Sequence, residues 1–369
     1  MKPHALYLTI GSKDADNDFY DTFSILEIED NSNSACTFKI KLPYNRNKKG
    51  DWVFNSEKDF KLFAKINVSI KFSTDKKEVL IEGYITNINA HLADNETDSY
   101  IEIIGMDSTI LLDLEEKEVT WIDKSDSDIA NEIFKQNNFS SKVDNTINPP
   151  KEDGNTVIQR GTDIDFLKML ARRNGFECYV EKAPTSSPMG YFRKPDVDDK
   201  NKNKLYILFE QKSNLSHLDI SVDGLRPMSA EIKQKNALTT KVVKSNKKSS
   251  DISKLGKSDL SKLYKSTMSG KPLTKVLLSR YGTDDAQEME ELVQSIVNEG
   301  SWFVVAKGTV NSAKFEHVLD TKKIVTIYGA GDTFSGDYYL TKVTHKFTPG
   351  SYIQEFEAKR NSLGFSGGL

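Results

Sequence analysis

The stretch GAGDTFSGDYYLTKVTHKFTPGSYIQEFEAKRN, residues 329–361, decides the reading of the fold. β-Branched and aromatic residues dominate 338–347, and 352–359 reads as a second strand. Thr348, Pro349, Gly350 and Ser351 lie between them and form a turn, since Pro presets φ and Gly reaches left-handed backbone without steric cost. The stretch therefore reads as a β-hairpin led by a glycine-rich corner.

Working outward, residues 302–307 and 324–328 are further strands, and 284–299 is the clearest helix. Ala286, Met289, Leu292, Val293, Ile296 and Val297 fall on one face of it, with Gly300 expected to close it. Toward the N-terminus, strand patterns recur at 4–10, 36–42, 67–72, 78–88 and 100–106 with no helix between them, which suggests a small barrel or sandwich. The pattern then changes. Residues 127–139 place Ile129, Ala130, Ile133 and Phe134 at helical spacing, with caps available at 125–127. A second helix at 162–174 is capped by Thr162, buries Phe166, Leu167, Leu170 and Ala171, and stops at Gly175 before a strand at 176–180.

Residues 183–204, rich in Pro, Ser, Asp, Lys and Asn, are expected to be a surface loop. Strands resume at 217–222 and 228–243, and the Lys- and Ser-rich 244–271 is expected to be a flexible, solvated insertion. The fold class is mainly β with an α+β insertion: β modules at 1–118 and 216–369 flank a mixed module at 119–215, and no internal repeat is evident.

Composition narrows the function. At 369 residues the chain is long for one domain, and 37% hydrophobic with 10% aromatic residues supports folded cores. A net charge of −3 offers no global field for nucleic acid, and the sparse aromatics of 244–271 give no stacking platform. No run of about 18 apolar residues suggests a membrane span. The start of the chain, 1–20, lacks the pattern of a signal peptide. Cys36 and Cys178 are too few for a disulfide framework and read as buried thiols. The five histidines, His4, His91, His217, His317 and His345, are isolated from one another, so no histidine-rich metal site is expected, and His345 reads as a packed strand residue. No carboxylate pair can be nominated for hydrolysis. Catalytic, cofactor and metal residues are therefore expected to be none.

One enzyme motif has to be weighed. Gly329, Ala330, Gly331, Asp332, Thr333, Phe334 and Gly336 copy the GAGDxFxxG element of ribokinase-like sugar kinases, whose aspartate is the catalytic base, here Asp332. That chemistry needs a helix whose free N–H groups hold the transferred phosphate. The β-branched and aromatic run after Gly336 favours a strand instead. The expected structure is a tight turn in which Gly329 and Gly331 take positive φ and Asp332 bonds back to the turn backbone. A carbohydrate-binding or adhesive module would need exposed aromatics, for which Trp52, Tyr191 and Trp302 are the candidates.

Two stretches carry a family resemblance. TDIDFLKMLARRNG, with Asp163, Asp165, Phe166, Leu167, Leu170 and Gly175, is similar to a segment of the phage late control D family, of which VgrG proteins have a related version. The closing stretch, with Gly329, Gly331, Phe334, Gly336, Tyr338, Tyr339, Phe356, Arg360 and Asn361, looks like that family's C-terminal signature. The resemblance covers about half of the chain, roughly 120–180 and 280–362. It implies a structural baseplate hub of a contractile, phage-tail-like injection particle. In such a hub two tube-like β-barrels per subunit of a homotrimer form a pseudo-sixfold ring, joining a sixfold inner tube to a threefold spike. The implied partners are an inner tube or tube-initiator protein, baseplate wedge proteins and a spike. Because only residues 362–369 follow Asn361, the spike is expected to be a separate polypeptide. The implied location is a particle assembled from protein made in the cytoplasm.

Overall fold

A computed structural model describes residues 4–44, 60–72, 76–147, 156–181, 187–198, 203–235, 242–278 and 286–365. The chain opens with β1 (Ala5–Ile10), β2 (Lys13–Asp14), α1 (Asn17–Thr22), β3 (Ile25–Asn31), β4 (Thr37–Pro43), β5 (Lys65–Lys71), β6 (Lys77–His91) and β7 (Tyr100–Asp107). A mixed region follows: β8 (Lys117–Ile122), α2 (Asp126–Gln136), β9 (Ser140–Val143), β10 (Thr156–Gly161), α3 (Asp163–Asn174), β11 (Glu177–Glu181) and β12 (Met189–Arg193). Next come β13 (Asn203–Tyr206), β14 (Leu215–Val222), β15 (Ser229–Lys235), β16 (Val242–Lys247), α4 (Leu260–Thr267), β17 (Lys275–Leu278) and α5 (Ala286–Ser301). The final elements are β18 (Val304–Asn311), α6 (Ser312–Phe315), β19 (Ile324–Tyr328), α7 (Gly331–Phe334), β20 (Gly336–Thr348) and β21 (Ser351–Arg360).

The protein is mainly β, and its largest sheet has 13 strands drawn from both ends of the chain. Its order is β14-β18-β21-β20-β3-β4-β7-β6-β5-β1-β2, with β19 also on β20 and β13 parallel to β19. Strand β20 is the hinge of this arrangement. One edge pairs with β21. The other edge is divided between β19, from Gly336 to Tyr339, and β3, from Lys342 to Phe347. The change of partner falls at a bulge between Leu340 and Lys342, where an extra residue interrupts the ladder and re-aims the strand. At the bulge, Ser32 N–H donates to Thr341 O at 2.8 Å and Lys322 N–H donates to Leu340 O at 2.8 Å.

Two cores flank the hinge. One gathers Leu8, Phe38, Ile40, Val68 and Ile103 from the first strands together with Val318, Phe347 and Tyr352 from the last. The other joins Phe303, Val304, Ile327, Tyr338, Val343 and Phe356. The helices α2 and α3 pack on the small β11-β12-β9 sheet through Ile129, Phe134, Leu167, Leu170 and Phe192.

Several elements differ from the sequence reading. The strand β3 was not foreseen, although its alternation of Leu26 and Ile28 with Glu27 and Glu29 buries one face. Strand β12 stands inside the Pro- and Ser-rich 183–204, held by Tyr179 stacked on Tyr191 at 4.7 Å; residues 183–186 and 199–202 of that segment lie outside the described residues. Strand β13 belongs to the large sheet rather than to the mixed region in which its position had placed it. The 244–271 segment is not a loose excursion: Val242–Lys247 pairs with β15, α4 follows, and Ser258 bridges Leu363. Helix α5 runs through Gly300 to Ser301, and residue 284 lies outside the described residues. Cys178 is buried, which pushes its thiol up to about 12, whereas Cys36 is only half-buried.

An ion pair between the buried Lys322 and the half-buried Asp30 braces the change of partner on β20. Lys322, 5% exposed and at φ 61°, donates to Asp30 Oδ1 at 3.2 Å, and Thr321 Oγ1 donates to Asp30 Oδ2 at 2.5 Å. Lys322 Nζ also sits 4.6 Å from the centre of the Tyr179 ring, so this cation touches the first strands and the mixed region together. Burial opposes ionisation of Asp30, but Lys322 and Thr321 outweigh it and hold its carboxyl below the usual range. Asp30→Asn should cost about 3 kcal/mol in urea unfolding by leaving a buried cation unpaired, and Asp30→Asn/Lys322→Met should recover most of that loss.

Asp107 behaves in the opposite sense. It is 8% exposed and accepts N–H bonds from Thr109 at 2.9 Å and Cys36 at 3.0 Å, yet burial dominates and pushes its pKa up to about 6. A carboxyl raised above its unfolded value favours folding while protonated. Its contribution is complete below pH 3.8 and is lost as the pH rises through about 6. Relative to Asp107→Asn, the unmodified chain should therefore lose on the order of 3 kcal/mol of unfolding free energy between pH 4 and pH 7, read by urea titration.

Candidate functional site: a joint built from the motif residues

The α3 motif supplies one half of the joint. Thr162 Oγ1 accepts the Asp165 N–H at 3.4 Å, and Asp165 stays exposed in the first turn, where a negative charge complements the helix dipole. Asp163 is 3% exposed and accepts from Lys117 Nζ at 2.7 Å, Gln159 Nε2 at 2.7 Å and Asn137 Nδ2 at 2.9 Å. That one carboxylate therefore ties β8, β10 and the end of α2 to the start of α3, and its buried oxygens are satisfied. Phe166, Leu167 and Leu170 point into the helix core. At the far end Gly175 takes φ 68° as the left-handed cap, and a Cβ there would come within 3.0 Å of Ser295 on α5, so glycine lets the two helices approach.

The C-terminal motif supplies the other half. Gly329 and Gly331 take φ 88° and 74° as expected, and they lead into a single helical turn and then β20. The turn differs from expectation in one respect. The Ala330 N–H donates to Ser335 Oγ at 3.1 Å, while Asp332 remains exposed and offers its backbone carbonyl to the Phe365 N–H at 3.0 Å. A one-turn helix running into a 13-residue strand does not reproduce the long helix N-terminus that phosphate transfer at Asp332 needs.

Arg360 and Asn361 form a latch. Arg360 is 0% exposed; its guanidinium donates to Ser335 O at 3.0 Å, Leu255 O at 3.1 Å and Gly364 O at 2.8 Å, and lies 5.3 Å from the Tyr338 ring centre. Gly336, at φ 134°, makes room for it, since a Cβ there would fall 2.6 Å from a guanidinium nitrogen. Asn361 accepts the Leu255 N–H at 2.9 Å and donates to Ser253 O at 2.9 Å. Phe334 offers its carbonyl to the Tyr338 hydroxyl at 2.7 Å, and Phe356 fills the core beneath.

Tyr339 joins the two halves. Its buried hydroxyl donates to Glu177 Oε2 at 2.5 Å, and its ring stacks on Trp302 at 5.8 Å. Burial pushes the Glu177 carboxyl up despite the nearby Lys359 and the Tyr339 hydroxyl. Around this contact lies a cavity of about 530 Å³ bordered by Ser32, Arg172, Gly175, Glu177, Trp302 and Lys359. Sequence reading singled out the motif residues but missed the roles of Glu177 and Lys322, single polar positions with no periodic signal whose partners lie far along the chain.

Other candidates resolve as packing. His345 is 3% exposed with Nδ1 2.8 Å from the Tyr352 hydroxyl. Trp302 is buried and Tyr191 is half-buried against Tyr179, while Trp52 lies outside the described residues. Among the described residues no group of three His, Cys, Asp or Glu is placed to hold a metal ion, and no helix is long and apolar enough to cross a membrane.

A comparison with curated proteins returns no match. The model of a protein family described as the Alg8 N-terminal domain matches residues 9–349. The chain belongs to that family. Among solved structures, the 43 kDa tail protein of prophage MuSo2 from Shewanella oneidensis superposes with a TM-score of 0.66 at 13% identity, covering 97% of this chain and 99% of that one. The tail protein from Neisseria meningitidis MC58 gives a TM-score of 0.64 at 12% identity, covering 98% of each chain. A chain in the Francisella PdpA-VgrG complex gives a TM-score of 0.56 at 13% identity over 100% of this chain and 60% of that one. At such identities these likenesses establish a shared fold, that of phage tail proteins.

We predict that Arg360→Met frees the segment beside it. Limited trypsin digestion should cut after Lys254 or Lys257 at least about tenfold faster, with a stability loss of about 3 kcal/mol from stranded carbonyls. Equal digestion rates would show that the latch does not hold the segment.

Proposed function

We propose that the chain is a baseplate hub of a contractile, phage-tail-like injection particle, acting as a structural adaptor between a sixfold inner tube and a threefold spike. The observation that carries the proposal is the near-complete, two-way superposition on tail proteins, 97% and 99% in the first case, with no large segment of either chain left over. The modules are taken as 1–118, 119–215 and 216–369, with β13 of the middle stretch pairing into the large sheet, and the first and last provide the two tube-like units of each subunit. Three copies would then present six related β surfaces to the tube while the mixed module stays threefold. The late control D and VgrG-like motif residues support this reading through their placement, because both stretches meet at the joint between modules.

The ends of the large sheet supply a mode of assembly. Among the described residues strand β14 lies at one end of the pairing order and the two-residue β2 at the other, and β14 exposes most of its residues. Open edges of this kind pair with strands of a neighbour by β-augmentation. Inner-tube or tube-initiator, wedge and spike proteins are the proposed partners, and the role is structural rather than catalytic. Light scattering should give about three times the monomer mass for the purified chain alone, or a heavier complex holding three copies of it on adding a candidate spike protein. A chain that stays monomeric under both conditions would count against the hub. Phosphorylation of sugars by ATP that is lost in Asp332→Ala would replace it with the kinase reading.

A further inference from the structure

A second cavity, on the far side of the Arg360–Asn361 latch, has a chemistry of its own. It encloses about 520 Å³, within the range of roughly 300–1,000 Å³ typical of ligand pockets. Its floor is apolar: Met228, Leu260 and Val297 are 5%, 8% and 2% exposed, with Ile252 beside them. Its rim carries Lys248, Lys254, Lys262 and Lys265 against one acid, Asp259. That acid is already engaged, since it pairs with Lys254 and accepts the Lys262 N–H at 2.7 Å as the cap of α4. The nearby Asp251 lies 3.6 Å from Lys194.

The wall of this cavity is held in place. Residues 248–265 have the composition of a solvated loop, yet the buried Arg360 and Asn361 bind Ser253 O, Leu255 N and Leu255 O. On the other side, Ser250 Oγ donates to Asn298 Oδ1 at 2.9 Å, and the Asp251 N–H donates to the same oxygen at 3.1 Å. Solubility alone needs no such anchoring. Its effect is to hold Lys248, Lys262 and Lys265, beside the Asp259-paired Lys254, around an apolar opening, and a site organised in advance loses less entropy on binding. The lysines come from separate segments: Lys262 and Lys265 are three apart on α4, Lys248 follows β16, and Lys254 lies in the segment between β16 and α4.

We infer that this cavity is a docking site for an acidic peptide segment of a partner protein, one that inserts one or two apolar side chains between flanking carboxylates. Charge complementarity and the apolar floor select the occupant: a neutral apolar segment would leave the lysines unmatched, and an acidic segment without an anchor would leave the floor wet. The inference is independent of the hub reading, because it needs only the folded chain.

The test is fluorescence anisotropy of the full-length chain with a labelled heptapeptide that carries a Leu-Phe pair between Asp and Glu residues. Saturable binding is expected, weakened at least about tenfold when Ser replaces the acids, and again when Ser replaces the Leu-Phe pair. The exposed double variant Lys262→Glu/Lys265→Glu, checked for an unchanged melting temperature, should lose at least about tenfold, and Lys248→Glu should lose less. Raising the salt should weaken binding. Absence of saturation at millimolar chain, equal binding of the acidic and Ser-substituted peptides, or equal binding by the Lys262→Glu/Lys265→Glu variant would each overturn the inference. So would self-association abolished by that variant without peptide binding, which would assign the surface to a second copy.

Discussion

A strand has two edges, and the protein is organised around how β20 spends its second one. The first half of that edge takes β19 and the second half takes β3, so one bulge at Thr341 decides where the late strands give way to the early ones. Lys322 and Asp30 sit at the same point, and the lysine bonds through both its backbone and its side chain. A largely buried ion pair is a poor source of net stability but a stringent geometric demand, since either charge alone is costly. Here it fixes the register at which β3 meets β20, and a slip of one residue would turn Leu26 and Ile28 out of the core.

The two motif stretches act on the same problem from opposite sides. Asp163 gathers the mixed region onto α3, Gly175 lets α3 approach α5, and Tyr339 reaches from β20 to Glu177. Arg360 and Asn361 then close the far end by binding carbonyls of the lysine-rich segment. The residues that make the sequence resemble a known family are thus mostly internal connectors, which suits a molecule whose outer surfaces are proposed to do the work.

Local chemistry made much of this legible in the sequence. The caps at Ser125 and Thr162, the glycine stop at Gly175 and the closing hairpin are written in neighbouring residues, and the structure has them within a few positions. Non-local partners were not legible. Periodicity says which face of β3 is apolar but not that its neighbour is β20, and the Lys322–Asp30 pair spans 292 positions. The 244–271 segment misled for a related reason: its composition is that of a loop, and its order is supplied by Arg360 and Asn361, which composition cannot reveal.

The division of the β20 edge also sets a timetable. During synthesis β3 emerges early with one of its edges committed to a strand that does not yet exist, and Val318, Phe347 and Tyr352 are missing from the first core until the last strands are made. Contacts this distant along the chain close slowly, and an unpaired edge is exposed in the meantime. Completion of the early half is therefore coupled to arrival of the late half, so a truncated product would have an unfinished sheet and an open core instead of a competent partial subunit.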